Sequence, residues 1–582
     1  MDFEVPLDRG IDGISPPELD SGSSVLPPPP VMIVPALALT LAACGGGGEA
    51  STQAPAAGPP AVPAPPPAPP PPPPPPPPTT TQAARFLAQA TMGTKSADID
   101  AVVAQGFDGW LGAQFVKPRP TKFWDWLVAN GYTAIVNMFR QSGHDPMVWS
   151  SLISSDDQLR QRVGTALMNM FVVSVDGLYA RWQQFGMASY MDIVWDNAFG
   201  NFRTLLEQIT LTPAMGYYLS FVKSKKGSAS GALPDENYAR EIMQLFTIGL
   251  YQLNLDGTHK LVNGKPVDTY TQSDVTGLAR VFTGWTTVGS SNAAPDVLRN
   301  PMTQEPADHE LGAKTFLGKT IPAGTGGAAS LKIALDTLFA HPNVAPFFSK
   351  QMIQHLVTSN PSPAYVQRVA TIFENNGSGI RGDLRAVFRA ILLDVEARDD
   401  AAAASSTTFG KLREPVLRLT GWARAFGATS PSNAWAIGDT SSATNSLSQG
   451  IGRSPSVFNF FRPGYVPPNS AISSRNMVAP EFQITNEQTN VGYMNFMYLT
   501  TVNGAGDFKA DFTEFLAKAT DSKALIDLIN LRLAANQVSA ATVAQIKTAV
   551  DSLATATPTD LQNRVHIASL MILSSPEYIV LK

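Results

Sequence analysis

Residues 235–249 read DENYAREIMQLFTIG. Pro234 stands just before them, Asp235 offers a capping carboxylate, and Gly249 supplies a stop. Between these limits Tyr238, Ile242, Leu245 and Phe246 recur at helical spacing. They fall near one face, which the pattern predicts to be buried. Such a stretch is a helix laid against a core.

The same periodicity recurs along the chain. Thr271 opens TQSD before VTGLARVFTGW, and Asp274 at the third helical position makes a capping-box variant. Leu384, Val387, Phe388 and Ile391 mark a helix within 381–395. Leu412, Val416, Leu417 and Trp422 mark another, and 523–533, 539–553 and 560–573 add three more. Strand signals are sparse. Residues 254–270 form a turn-rich excursion with Asp256-Gly257 and Asn263-Gly264 as turn pairs. Two more irregular stretches cover 286–329, with room for short hairpins, and 429–476. No internal repeat is evident. The expected fold is mainly α: a large multi-helix domain with long irregular loops and short β-hairpins. The Lys- and Ser-rich run 223–231 is either a boundary or a loop within that domain.

The front of the chain has a different character. An apolar run, VMIVPALALTLAA, ends at Cys44, the single cysteine of the protein. Its length fits a signal-peptide core and falls short of a bilayer span. Leu41, Ala42, Ala43 and Cys44 resemble the bacterial lipobox, in which the cysteine is acylated and becomes the new terminus. Acyl chains on Cys44 would hold the protein at a membrane without a transmembrane helix. The segment before the apolar run departs from the basic pattern of leaders, with one Arg against six acidic residues, so the leader is atypical. Residues 45–84 are rich in Gly, Ala, Thr and Pro, and Pro69 to Pro78 is an unbroken proline run. At about 3.1 Å per residue that run reaches roughly 31 Å as a semi-rigid spacer. The expected organisation is therefore a leader at 1–44, a linker at 45–84 and a helical body at 85–582.

Composition narrows the function. The net charge is −5, and no basic patch of the nucleic-acid-binding kind stands out. With no cysteine beyond Cys44, the body has no internal disulfide, thiol nucleophile or Cys-ligated metal. There is no HExxH, no P-loop, no dinucleotide fingerprint and no GxSxG elbow. Asn254-Leu-Asp256-Gly-Thr258 superficially matches the start of a calcium loop, but Lys265 stands where the loop needs its terminal Glu, so a polar turn is expected.

Several long segments resemble one family in order along the body. They are ARFLAQATMG (84–93), FRTLLEQITLTPAMGYYL (202–219), LPDENYAREIMQLFTIGLYQLNLDGT (233–258), VTGLARVFTGW (275–285), HELGAKTFLG (309–318), PSVFNFFRPGY (455–465) and SSPEYIV (574–580). Together they resemble the DUF1800 family of bacterial proteins. The resemblance implies a mainly helical exported protein and implies no particular reaction. It also implies a partner, an exported protein of the DUF1501 family. Relatives often carry Asn-His-Phe where this chain has Asn169-Met170-Phe171, so a role resting on that histidine does not carry over.

The strongest candidate for chemistry is the start of the 235–249 helix. Glu236 and Arg240 are spaced i,i+4, as are Asn237 and Glu241. These groups either form an ion-paired helix start or project Glu236, Arg240 and Glu241 into a groove, where carboxylates bind a hard cation or act as acid and base. His309, within Asp308-His309-Glu310, is either a hydrogen-bonded loop histidine or a ligand or base needing a distant partner such as Glu236 or Glu241. His341 is expected to shape a helix start, and His355 to be structural or exposed on an amphipathic helix. Arg413, Glu414 and Arg418 within KLREPVLRL offer local pairs or a buttress. The aromatic run 458–465 reads as a core clamp or a groove lining, with the clamp preferred.

The expected function is an exported, lipid-anchored binding or assembly factor on the periplasmic side of a membrane or at the cell surface. The alternative is an extracytoplasmic hydrolase, metal-assisted or acid–base, using Glu236, Glu241 and His309. No cofactor or oligomeric state is legible.

Overall fold

The computed structural model describes residues 76–178, 181–228, 231–289, 293–444 and 446–582. The apolar run and Cys44 lie outside them, as does most of the linker. Residues Pro74–Lys582 form one unit by their internal contacts, and 223–231 falls within it. The described residues are mainly α-helical, with four two-stranded antiparallel pairs. Among them no helix is long and apolar enough to cross a membrane.

The expected helices are present, with their ends shifted by a few residues: 235–249 shortens, whereas 523–533 and 560–573 extend to Ser522–Ala534 and Pro558–Ser574. The 235–249 stretch gives the helix Asn237–Gln244, with Glu236 rather than Asp235 at the N-cap position. Asp235 still serves the start, because its carboxylate accepts the Asn237 N–H at 2.5 Å. Tyr238, Ile242 and Phe246 are buried, and the chain turns out at Gly249 with φ 70°. Thr271 caps Gln272–Ala279, donating its N–H and its hydroxyl to Asp274 at 2.7 Å each. Asp274 also accepts the Leu317 N–H at 2.6 Å, which fastens the hairpin Lys314–Phe316/Lys319–Ile321 to that helix. The turn pair Asn263-Gly264 closes the hairpin Leu261–Val262/Lys265–Pro266, both residues having positive φ.

The core is continuous. The helices Val344–Leu356, Pro363–Glu374 and Leu384–Leu393 pack in succession, and the helix Gln158–Met170 joins them through Val344–Leu356. Phe202 sits at the centre of an aromatic knot, with the rings of Phe171, Phe339, Phe348 and Phe373 all within about 6.3 Å of it. A C-terminal trio, Ser522–Ala534, Ala540–Asp551 and Pro558–Ser574, packs against itself. The first body helix, Thr80–Ala90, packs on Ser522–Ala534. The Arg85 guanidinium donates to the Lys582 carbonyl at 2.9 Å, and Lys411–Leu412 pairs with Val580–Leu581.

Candidate functional site

The Glu236 and His309 candidates fall into separate networks. Glu236 pairs with Arg240 at 3.2 Å and accepts from Thr276 at 2.7 Å and Gln272 at 2.8 Å. Burial pushes its carboxyl up, but the Thr276 and Gln272 hydrogen bonds and the Arg240 charge outweigh it, and the result lies below the usual range. Glu241, one turn on, is buried, and burial raises its carboxyl above the ordinary value. Its Oε2 has no hydrogen-bond partner among the described residues. His309 is buried elsewhere: its Nδ1 lies 2.9 Å from the Thr283 carbonyl, and burial lowers its basicity. Among the described residues no three His, Cys, Asp or Glu side chains gather closely enough to hold a metal. The polar turn at Asn254–Thr258 is closed by its own side chains, with Asp256 Oδ1 accepting from Thr258 N at 2.9 Å and Oγ1 at 2.6 Å.

A larger feature lies at the other end of the same helix. A cleft of about 930 Å³ opens where four segments meet. Its walls are the helix Val344–Leu356, the end of Gln158–Met170, the turn after Asn237–Gln244, and the irregular run 457–483. Asn343 holds the first wall to the third. Its amide donates to the Ile248 and Tyr251 carbonyls at 2.8 Å each, and its Oδ1 accepts the Leu253 N–H at 2.9 Å. Asn360 holds the irregular run, donating to the Val478 carbonyl and accepting the Val478 N–H, both at 2.9 Å. Gly249 lets the third wall approach closely, since a Cβ there would meet the Phe347 ring at 2.7 Å.

The aromatic run belongs to this cleft. Phe461 is buried in the wall, as a clamp requires, while Phe458 and Tyr465 stay partly open to the cavity. Arg462 stacks its guanidinium 4.8 Å from the Phe458 ring centre. Lys350 faces the cavity from the helix. No carboxylate lines it among the described residues. Met170, the position where the family resemblance expects histidine, lies in the cleft wall and is 3% exposed.

Behind the wall sits a buried ionic cluster. Lys411 Nζ lies 2.9 Å from Glu481 Oε1 and 3.4 Å from Glu414 Oε1. It donates to the His355 carbonyl at 2.8 Å, and Arg162 donates to the same oxygen at 2.5 Å. Glu414 Oε2 accepts from Gln449 at 2.9 Å and from Asn169 at 3.1 Å. Burial works against the Glu414 carboxylate, but Lys411, Arg162 and His355 together hold its pKa at about 2. Glu481 goes the other way: burial, added to by the Glu414 charge and only partly offset by Lys411, raises it. His355 is lowered to about 3, first by burial and then by Lys411 and Arg162 against the opposing pull of Glu414, and is neutral at pH 7. The cluster fixes the cleft from behind, because Asn169, His355 and the segment holding Glu481 all reach its wall.

Lys350, Gln351 and Gln354 of the cleft belong to no motif that the sequence singles out. A signal is present in SKQMIQHL (349–356), where Ser349, Lys350, Gln351, Gln354 and His355 interrupt an otherwise apolar helix. Of the two positions expected for His355, structural or exposed, the structure shows the first: it is buried at the cleft wall.

No curated protein and no solved structure matches the chain. A family model described as "Protein of unknown function (DUF1800)" matches residues 85–580, which is most of the sequence and all but the edges of the described body. On that match the chain belongs to the DUF1800 family.

Proposed function

We propose that this protein is an exported binding or assembly factor of the bacterial cell envelope, anchored through an acylated Cys44, and that it engages its ligand in the cleft between Val344–Leu356 and the 457–483 run. One observation carries the reading: a cavity of about 930 Å³, with partly open aromatic rings, two cations that have no carboxylate within ion-pair distance among the described residues, and walls held together by Asn343 and Asn360. That volume lies in the range of ligand sites, and rigid walls reduce the ordering cost of binding. The proline run would hold the body off the membrane surface. An exported protein of the DUF1501 family is the proposed partner. The hydrolase alternative draws less support, because Glu236 and His309 bond to different neighbours.

The test uses the full chain in a bacterial host fed an alkyne-bearing fatty acid. The wild-type chain is expected to carry the label and to fractionate with membranes, and Cys44→Ser to lose both. Native purification is then expected to retain an envelope component that Phe458→Ala releases. An unlabelled cytosolic chain overturns the placement, and equal retention by Phe458→Ala overturns the cleft as the binding site.

A further inference from the structure

The charge of the cleft says what it takes. The protein as a whole is acidic, with a net charge of −5. The cleft of about 930 Å³ has no Asp or Glu in its lining among the described residues, yet two cations face it, Lys350 and Arg462. Neither has a carboxylate within ion-pair distance among the described residues, although most arginines of the body do. The half-buried Lys350 ammonium is partly stripped of water, and Asp256, the carboxylate whose charge partly offsets that burial, lies beyond ion-pair distance. Burial lowers the basicity of His259, another lining residue, and the Lys350 charge lowers it further. A desolvated cation without a counterion, set in a cavity, is an incomplete ion pair.

The remaining lining adds shape. Phe347, Phe458 and Tyr465 offer ring surface, and Gln351 offers an amide with no hydrogen bond among the described residues. Flat apolar faces beside spare amide donors and acceptors suit a ring that has C–H faces and hydroxyl edges. Among the described residues the only β pairing in the lining is the single antiparallel bridge between Leu253 and His259, which already uses those two segments on each other and is too short to serve an extended peptide as a sheet edge. We propose that the cleft binds an acidic oligosaccharide, its carboxylate or sulfate groups held between Lys350 and Arg462 and its sugar rings lying on Phe458 and Tyr465. This rests on the reading of the cleft as the binding site.

Calorimetric titration of the full chain tests it with three probes: a hexameric uronate oligosaccharide, a neutral hexose hexamer and hexaglutamate. The uronate is expected to bind at least about tenfold tighter than either of the others, and added salt to weaken it. Lys350→Gln and Arg462→Gln are each expected to weaken it about tenfold with an unchanged thermal midpoint. Lys332→Gln, a distant exposed charge, serves as the control and is expected to leave it unchanged. The proposal is overturned by no uronate binding, by equal affinity for the neutral hexamer, by wild-type affinity in both charge variants, or by tighter binding of hexaglutamate, which would reassign the cleft to acidic peptides. If the uronate fails while a native component is still lost on Phe458→Ala, this inference falls and the cleft reading stands. If that component is also unaffected, both fall.

Discussion

Removing the Lys411 ammonium leaves two carboxylates, Glu414 and Glu481, facing each other in the interior. Lys411→Met should therefore cost about 3–5 kcal/mol, the usual consequence of orphaning a buried charge. Chemical denaturation of the variant measures this, and a loss below about 1 kcal/mol would show that the cluster tolerates the gap. Adding Glu481→Gln should recover part of the loss, because the carboxylate held least easily is then gone. Single residues were also where the sequence was hardest to read. Glu236 and Arg240 pair as their i,i+4 spacing predicts, since that contact is local to one helix. The Lys411–Glu481 pair joins residues seventy positions apart, and no local spacing encodes it. Arg413, Glu414 and Arg418 stood out by composition, but Glu414 turned to the cluster while Arg413 stacked on Tyr578.

Elements were more legible than sites. Helix positions followed from periodicity and caps, as in Gln272–Ala279, because those signals are confined to a few turns. The cleft was not legible, because its walls come from four segments whose meeting is set by the tertiary fold. The aromatic run 458–465 shows the difference: its density was plain, yet whether it clamps or lines depended on partners far away. Gly277 shows how tightly elements are set. It lies mid-helix, and a Cβ there would sit 1.8 Å from the Thr315 carbonyl of the hairpin. Gly277→Ala gains helix propensity of about 1 kcal/mol but must push the hairpin away. A net loss of about 1–3 kcal/mol is expected, with Gly277→Ala lowering the thermal midpoint. A raised midpoint would mean that the hairpin shifts freely.

Acid should loosen the whole molecule earlier than carboxylate chemistry alone predicts. Burial depresses His144, His309, His341, His355 and His566 below the usual imidazole value. A depressed folded value means that the native state favours the neutral ring. The stability this gives is complete above the unfolded value near pH 6.5 and is lost as pH falls; for His355 the loss runs down to about 3. Glu414 adds a second loss between its ordinary 4.5 and about 2, whereas Glu481, being raised, works in the opposite sense. Thermal midpoints are expected to start falling just below pH 6.5. His355→Gln should flatten part of that slope, because Lys411 and Arg162 bind its backbone carbonyl and not its ring. A variant whose slope from pH 7 to pH 5 equals that of the wild type would remove His355 as a source.

The contact between Arg85 and Lys582 spans 497 positions of chain. Ribosomes add about 5–20 residues per second, so the opening helix waits ~25–100 s for the strand that completes its surroundings. Until Val580–Leu581 arrives beside Lys411–Leu412, the nascent body has exposed apolar surface and an unclosed seam. The same delay keeps the two ends of the body unlocked from each other until synthesis reaches its last residues.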